Sequence, residues 1–156
     1  MEQPDNAKKY LIKELPPQAY LAEATVVTVR QGYLHAEEDS ELKVVERIEP
    51  GEFWFIGKTI VGGNRQKSKI QITKEIFDIL FALTEGKRIL KKTYEFKDGE
   101  SSVRLDDFLQ ETSLGKIKIM EVDDPDQRKP LFEEAGMIDV VDVSSDPRYL
   151  NQNLAN

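Results

Sequence analysis

The sequence predicts an α+β protein that is mainly antiparallel β, with eight strands forming a closed or nearly closed barrel and a few flanking helices. Two observations predict this fold class. Segments with a two-residue alternation, rich in β-branched and aromatic residues, recur along most of the chain, and turn-forming residues separate them. Segments with a helical period are few. Closure removes the exposed edges of a sheet, and we therefore expect a barrel.

Eight segments have the composition and alternation of strands. In chain order they are Lys8–Lys13, Thr25–Leu34, Glu41–Ile48, Glu52–Ile60, Arg65–Ile72, Arg88–Lys97, Ser101–Phe108 and Lys116–Asp123. Four of the breaks carry turn residues: Glu37-Glu38-Asp39-Ser40, Pro50-Gly51, Gly62-Gly63-Asn64 and Asp98-Gly99. Asp98-Gly99 is the strongest hairpin signal, because a two-residue type I′ turn requires positive φ and this pair adopts it readily.

Three helices are predicted between and after these strands. The first begins at Thr73, a suitable N-cap, and ends at Gly86. Its apolar residues recur with helical spacing at Ile76, Ile79, Leu80 and Leu83. A second helix is expected after Asp126, through Phe132 to Ala135. A third, short one follows Asp146-Pro147, because proline suits the first helical turn.

Composition limits the classes of function. The net charge of −7 and the pI near 4.9 argue against general nucleic-acid binding, which needs a basic surface. The chain has no cysteine, which excludes disulfides and thiolate metal sites. No apolar run approaches a membrane span, and the N-terminus lacks the apolar core of a signal peptide. We expect one cytoplasmic domain over residues 1–156.

The alternation within the strands permits two interpretations. In the sixth segment Leu90 and Tyr94 share one face, and Lys91 and Thr93 share the other. The polar faces could lie outside in water, as in most antiparallel sheets. Alternatively, helices cover the apolar faces and the polar faces enclose a tunnel. A tunnel rich in Lys and Arg would suit a multiply charged phosphate, because cations in a low-dielectric enclosure bind anions strongly.

Three stretches resemble a known family. The opening strand and its continuation, Lys8–Pro16, read K-K-Y-L-I-K-E-L-P, similar to a family pattern E-x-E-R-K-F-L-V followed by K-x-L-P. Residues Arg30–Leu34 read R-Q-G-Y-L, as the family does. Residues Ser145–Leu154 contain D-P-R-Y-L-N-Q-N-L, similar to D-P-R-Y-x-N-x-x-L. On these motifs the chain is identified as a divergent member of the CYTH-domain family in the triphosphate tunnel metalloenzyme superfamily.

The resemblance implies an eight-stranded barrel around a tunnel in which basic residues hold phosphates. It also implies Mg²⁺ or Mn²⁺ held by carboxylates if the protein is active. Known members hydrolyse inorganic or thiamine triphosphate or form cyclic AMP from ATP.

Carried over residue by residue, the resemblance implies two sets of site residues. The phosphate-binding set is Lys9, Lys43, Lys58, Arg65, Lys91 and Arg104, and the metal-binding set is Asp5, Asp106, Glu121 and Asp123. The chain departs from the family where acids are expected, since Ala7 replaces the second carboxylate of the opening motif. Lys67, Lys69 and Gln71 replace the acids of the fifth strand, and Arg104 stands where an acid is frequent.

These departures leave three hypotheses open. The main one is a protein that binds triphosphate or a similar phosphate-rich anion, with metal-dependent catalysis weakened or lost. The alternative is an active Mg²⁺- or Mn²⁺-dependent triphosphatase with a remodelled site. The third is a structural or interaction domain with a collapsed tunnel. Triphosphate or another phosphate-rich anion is the expected partner, a homodimer is one option, and neither nucleic acid nor a membrane is expected.

Overall fold

The structure, a computed structural model, describes residues 8–49, 51–98, 101–123 and 140–156. Nine strands form one mainly antiparallel sheet: β1 Lys8–Ile12, β2 Thr25–Ala36, β3 Ser40–Arg47, β4 Glu52–Val61, β5 Asn64–Gln71, β6 Arg88–Asp98, β7 Ser101–Phe108, β8 Lys118–Val122 and β9 Val141–Asp142. The helices are α1 Gln18–Leu21, α2 Lys74–Phe81 and α3 Asn151–Leu154, with 3-10 turns at Ala82–Thr84 and Pro147–Tyr149.

The predicted α+β class and all eight predicted strands are confirmed, with boundaries that differ by no more than two residues. Strand β9 was not predicted, because two residues are too short to show an alternation. Helix α1, one turn long, was missed for the same reason. The predicted helix between Asp126 and Ala135 lies outside the described residues, and so does Gly99 of the predicted Asp98-Gly99 turn.

Closure of the barrel is not confirmed. The strand order is β5-β4-β3-β2-β6-β7-β8-β1-β9, and within the described residues no strand pairs with β5 and β9 to join the two ends. Two features oppose closure at these edges. All eight residues of β5 are exposed and three of them are basic, while β9 offers only two residues for pairing. Charged side chains on a strand edge are a common means of preventing further pairing.

The turns follow the predicted chemistry where the structure describes them. Gly62 and Gly63 both have positive φ, at 58° and 79°, as a two-residue hairpin turn between β4 and β5 requires. Asp98 pairs with Ser101, and β6 and β7 are therefore joined as a hairpin. Glu37 donates its backbone N–H to the Ser40 carbonyl at 2.8 Å, which closes the turn before β3.

Helix α2 begins where it was predicted but packs through a different face. The Thr73 hydroxyl accepts a hydrogen bond from the Ile76 backbone N–H at 3.2 Å, which confirms the N-cap. Phe77 is fully buried and its ring lies 5.2 Å from that of Phe53 in β4. The predicted apolar stripe, by contrast, is exposed at Ile76, Ile79 and Leu83. Aromatic contacts with the sheet therefore set the orientation of the helix.

The final helical segment is confirmed. A 3-10 turn begins at Pro147, and the Asp146 side chain caps it by accepting from the Arg148 backbone N–H at 3.0 Å. Helix α3 follows and buries Leu154 completely. Among the described residues, no helix is both long and apolar enough to pass through a membrane.

Apolar side chains cover both faces of the sheet, and among the residues that the structure describes, buried charge lies on one face only. On the outer face Leu105, Met120 and Tyr94 form a core that α1 covers through Leu21. The inner face holds two smaller apolar clusters, one around Val29 and another containing Tyr33, Phe108 and Leu154. Charged side chains are buried between these clusters. The interpretation with polar residues inside is therefore the correct one.

The R-Q-G-Y-L motif lies in β2, where the sheet meets the turn after α2. A Cβ atom added to Gly32 would lie 2.2 Å from the Thr84 hydroxyl oxygen, far inside van der Waals contact. Thr84 is fully buried and accepts a hydrogen bond from Arg88 at 3.1 Å. Only glycine fits here, because any side chain would displace this turn from the sheet.

Candidate phosphate-binding site

The inner face of the sheet lines a cavity of about 660 Å³. Residues from β5 at one end of the strand order and from β1 near the other end line the same cavity. The sheet therefore curves around it although its edges do not pair. The segment from Val143 to Gln152 borders the cavity as well. Its volume lies in the range of small-ligand sites in proteins.

Most of the predicted phosphate-binding residues line this cavity. They are Lys9 of β1, Lys43 of β3, Lys58 of β4, Arg65 of β5 and Arg104 of β7. Strand pairing explains why they converge: Lys9 lies opposite Glu121 and Glu121 opposite Arg104, which places three charged side chains in one row across β1, β8 and β7. Lys91 is the exception, since it lies buried beside the cavity and does not line it.

Arg104 bridges two buried carboxylates. One terminal nitrogen of its guanidinium lies 2.6 Å from Glu121 Oε2, and its Nε lies 3.6 Å from Asp106 Oδ2. The Arg104 side chain keeps 39% of its surface exposed, whereas those of Asp106 and Glu121 keep 5% and 8%. Burial opposes the charge on Arg104, but Asp106 and Glu121 outweigh burial and raise the Arg104 pKa. This residue is therefore a fixed positive charge on the cavity wall.

Asp106 is also held by two groups from β6. It accepts hydrogen bonds from Lys91 Nζ at 3.1 Å and from the Thr93 hydroxyl at 2.8 Å. Burial alone would raise the Asp106 pKa, but the charges of Lys91 and Arg104 outweigh it and lower that pKa below its ordinary value. Asp106 is therefore an ionised carboxylate whose hydrogen-bonding capacity is used by protein groups.

Lys43 is buried in the opposite wall of the cavity. Its Nζ lies 3.3 Å from Glu41 Oε2 and 5.5 Å from the centre of the Tyr33 ring. Burial, followed by the charge of Lys58, lowers the Lys43 pKa to about 7, although Glu41 acts in the opposite direction. An anion entering the cavity would stabilise the charged form of this amine.

Lys9 is half-buried, and neighbouring groups offset little of the cost of burying its charge. Its Nζ donates to the Tyr149 carbonyl at 3.5 Å, and no carboxylate of the described chain lies within ion-pair distance of it. Burial lowers the Lys9 pKa, and the charge of Glu121 only partly offsets this. Lys9 therefore has unused capacity to bind an anion.

The cavity is not uniformly basic. In the described part of the chain its lining includes six basic and seven acidic side chains. Three of the acids are consecutive in the exposed turn Glu37-Glu38-Asp39, and Asp146 is held by Arg148 at 2.6 Å. The inner acids are engaged by basic or hydroxyl groups. Anion binding here depends on the arrangement of the inner cations and not on the net charge.

The predicted metal ligands do not form an open group. Asp5 lies outside the described residues. Asp106 and Glu121 are occupied by Lys91, Thr93 and Arg104, as described above, and Asp123 accepts a hydrogen bond from the Ser102 hydroxyl. Within the described ranges, no cluster of three acidic or histidine side chains has the arrangement of a metal site. The described donor set therefore does not fit a divalent cation, whose carboxylate ligands must be free to coordinate it.

Several lining residues were missed as site residues although the sequence marked them. Tyr33 lies in the R-Q-G-Y-L motif, is almost fully buried, and accepts a hydrogen bond from Gln31 at 3.1 Å. Tyr149 lies in the C-terminal D-P-R-Y motif and offers its carbonyl to Lys9. Lys67 lines the cavity from β5, opposite Lys58. A family motif indicates that a residue has a role, but the contacts of that residue depend on strand register, which the motif does not specify.

Comparison with known proteins identifies relatives over nearly the whole chain. No family model matches the sequence. An inorganic triphosphatase of Nitrosomonas europaea is 33% identical over 95% of this chain and 94% of its own length. One of Acetivibrio thermocellus is 31% identical over 94% of this chain and 90% of its own length.

A solved structure supports the same assignment. The crystal structure of the inorganic triphosphatase NE1496 superposes with a TM-score of 0.68 at 27% identity, and covers 96% of this chain and 92% of that chain. The fold, the interior charges and the full-length similarity agree. The protein therefore belongs to the CYTH-domain family of triphosphate tunnel metalloenzymes.

Proposed function

We propose that this protein binds inorganic triphosphate, or a closely similar phosphate-rich anion, in the cavity and hydrolyses it. The observation that carries the proposal is the convergence of Lys9, Lys43 and Arg104 from three separate strands on one cavity of about 660 Å³. Two relatives of full-length similarity are named inorganic triphosphatase, which supports hydrolysis over binding alone. An open cavity also argues against the structural-domain alternative.

The inner cations would contribute in different ways. Arg104 presents a planar, permanently charged group, which suits phosphate oxygens. Lys9 and Lys43 are amines whose burial disfavours their charge, and an anion would relieve that cost. Phosphoryl transfer proceeds with charge spread over the phosphoryl oxygens, and fixed cations around it stabilise the transition state. These residues therefore bind the substrate and neutralise its charge.

Membership of a family of metalloenzymes implies a divalent cation, and Mg²⁺ or Mn²⁺ would be the expected ion. The described carboxylates are occupied by protein groups and do not offer such an ion a set of free ligands.

A second candidate function is binding without turnover. The same occupation of Asp106 and Glu121 by Lys91 and Arg104 favours it, because a carboxylate held in an ion pair is poorly placed to assist hydrolysis. The two candidates share the cavity and the anion and differ only in phosphate release.

One experiment separates these candidates. Phosphate release from inorganic triphosphate would be measured for the wild type in Mg²⁺, in Mn²⁺ and in EDTA. The Lys43→Gln variant provides the site-directed comparison, and Lys74→Gln is the matched control, because Lys74 is an exposed lysine on α2 paired with Asp78. We expect release by the wild type and the control and at least a tenfold loss in Lys43→Gln. Equal rates in Lys43→Gln and the wild type would contradict the proposal. No release by the wild type, together with triphosphate binding in calorimetry of the same protein, would select the second candidate.

A further inference from the structure

A partly exposed arginine, Arg104, lies at the point where two acidic side chains of β7 and β8 approach the cavity. Asp106 and Glu121 are the inward-facing acids of these strands, and the Arg104 guanidinium contacts both, at 3.6 and 2.6 Å. We propose that Arg104 permanently occupies the cation position between Asp106 and Glu121. This acidic pair then does not bind a divalent metal, and Arg104 supplies in its place the positive charge that meets the phosphates. The part that concerns phosphates rests on the proposed function.

Charge balance in this cluster supports the proposal. Asp106 and Glu121 bring two negative charges, and Arg104 and Lys91 bring two positive charges within ion-pair distance. The cluster is therefore neutral without a metal. A divalent ion would have to displace a tethered cation from carboxylates that are almost fully buried, and the displaced charges would then lack their partners.

Strand register holds these groups next to one another. Arg104 lies directly opposite Glu121 in the β7–β8 pairing, and Asp106 is two residues along the same face of β7. Asp106 is further fixed by Thr93, which lies opposite it on β6. Moving Arg104 out of this position would require either a different rotamer with the loss of both contacts or a shift of the strand pairing.

The exposed part of Arg104 faces the space where an anion would bind. Its side chain remains 39% exposed, and it lines the cavity together with Lys9 and Lys43. A guanidinium has five N–H donors, and the two contacts with acids leave others free for phosphate oxygens. The same residue can therefore neutralise the acids and bind the anion.

The first test measures metal binding directly. Mn²⁺ would be titrated into the intact wild-type protein and followed by its electron paramagnetic resonance signal, with Glu121→Gln as the comparison. We expect no Mn²⁺ binding that depends on Glu121. A stoichiometric Mn²⁺ site in the wild type that Glu121→Gln removes would overturn the inference.

The second test measures anion binding by calorimetry with inorganic triphosphate in EDTA. We expect the wild type to bind as tightly in EDTA as in Mg²⁺, within about threefold. The Arg104→Gln variant should bind roughly tenfold or more weakly in EDTA, the loss expected for one charge-assisted contact. Arg47→Gln is the matched control. Arg47 also lies in a strand, but its side chain forms an ion pair with Glu52 and does not line the cavity. Loss of wild-type binding on adding EDTA would contradict the inference.

The two tests distinguish a failure of triphosphate binding from a failure of metal exclusion by Arg104. If triphosphate binds under none of these conditions, the proposed function fails, while the Mn²⁺ titration still decides whether Arg104 excludes a metal. Circular dichroism of each variant would establish that the strands remain folded.

Discussion

Replacing Lys43 by arginine should remove a pH dependence of triphosphate binding. Lys43 is 7% exposed, and burial together with the charge of Lys58 lowers its pKa to about 7. Above that pH the free protein holds a neutral amine in the cavity wall. An anion binds best to the charged form of the amine. For each pH unit above the pKa, protonating the amine costs about 1.4 kcal/mol more. Binding should therefore weaken as the pH rises.

The magnitude follows from the pKa. Protonating a group two units above its pKa costs about 3 kcal/mol, since each unit is about 1.4 kcal/mol. Because about half of Lys43 is already neutral at about pH 7, the affinity of the wild type for triphosphate should fall roughly fiftyfold more than that of Lys43→Arg between about pH 7 and about pH 9. Arginine stays charged throughout this range and can still meet a phosphate oxygen.

Calorimetry at about pH 7 and about pH 9 measures this difference. Every other ionisable group of the protein, and triphosphate itself, is common to both titrations, and the ratio of the two dissociation constants isolates Lys43. Repeating the experiment in buffers of different ionisation enthalpy would show proton uptake on binding to the wild type near pH 9. Equal pH slopes in the two proteins, or no proton uptake, would show that Lys43 does not change protonation when triphosphate binds.

Three further predictions concern stability and are measured by urea unfolding. Gly32→Ala should destabilise the fold by about 1–3 kcal/mol through overpacking against Thr84. The control is Gly57→Ala, whose Cβ would meet only a Leu42 methyl at 3.6 Å and which should change stability little. Equal effects of the two substitutions would contradict the close approach of Gly32 to Thr84. Asp106→Asn should cost about 3–5 kcal/mol of stability, because it leaves Lys91 buried without its partner. The control Asp107→Asn breaks only a partly exposed ion pair with Lys118 and should cost less than about 1 kcal/mol. A small effect of Asp106→Asn would disprove that the Lys91–Asp106 pair is buried. The pKa of Asp106 in the folded protein lies below its ordinary value of 3.8. The stability that ionised Asp106 contributes is therefore fully present above about pH 3.8 and is lost as the pH falls through the folded-state pKa. A stability difference between the wild type and Asp106→Asn that disappears above about pH 5 would exclude the lowered pKa.

Strand positions could be predicted from the sequence because they depend on local properties. Alternation, β-branching and turn residues specify where each strand begins and ends, and the hairpin glycines Gly62 and Gly63 take the positive φ that their turn requires. Closure depends on whether two distant edges pair. The basic, exposed strand β5 and the two-residue strand β9 show why alternation could not predict it.

The side-chain contacts of the site depend on register, which the sequence does not specify. Arg104 and Glu121 were predicted to bind phosphate and metal respectively, yet the β7–β8 pairing places them in contact. Lys91 was predicted to bind phosphate, and the structure adds a buried ion pair with Asp106 that the sequence did not indicate. The face that helix α2 buries was also missed, because Phe77 and the cation–π contacts of Arg30 with Phe77 and Phe81 outweigh the aliphatic stripe.

The position of a bound anion shows whether the cavity is the triphosphate site. A crystal structure of the wild-type protein with inorganic triphosphate should show the anion inside the curved sheet, with phosphate oxygens in hydrogen-bonding distance of Lys9, Lys43 and Arg104. An anion found only on the exposed lysines of β5, or a cavity that stays free of triphosphate at saturating concentration, would show that the cavity does not bind it.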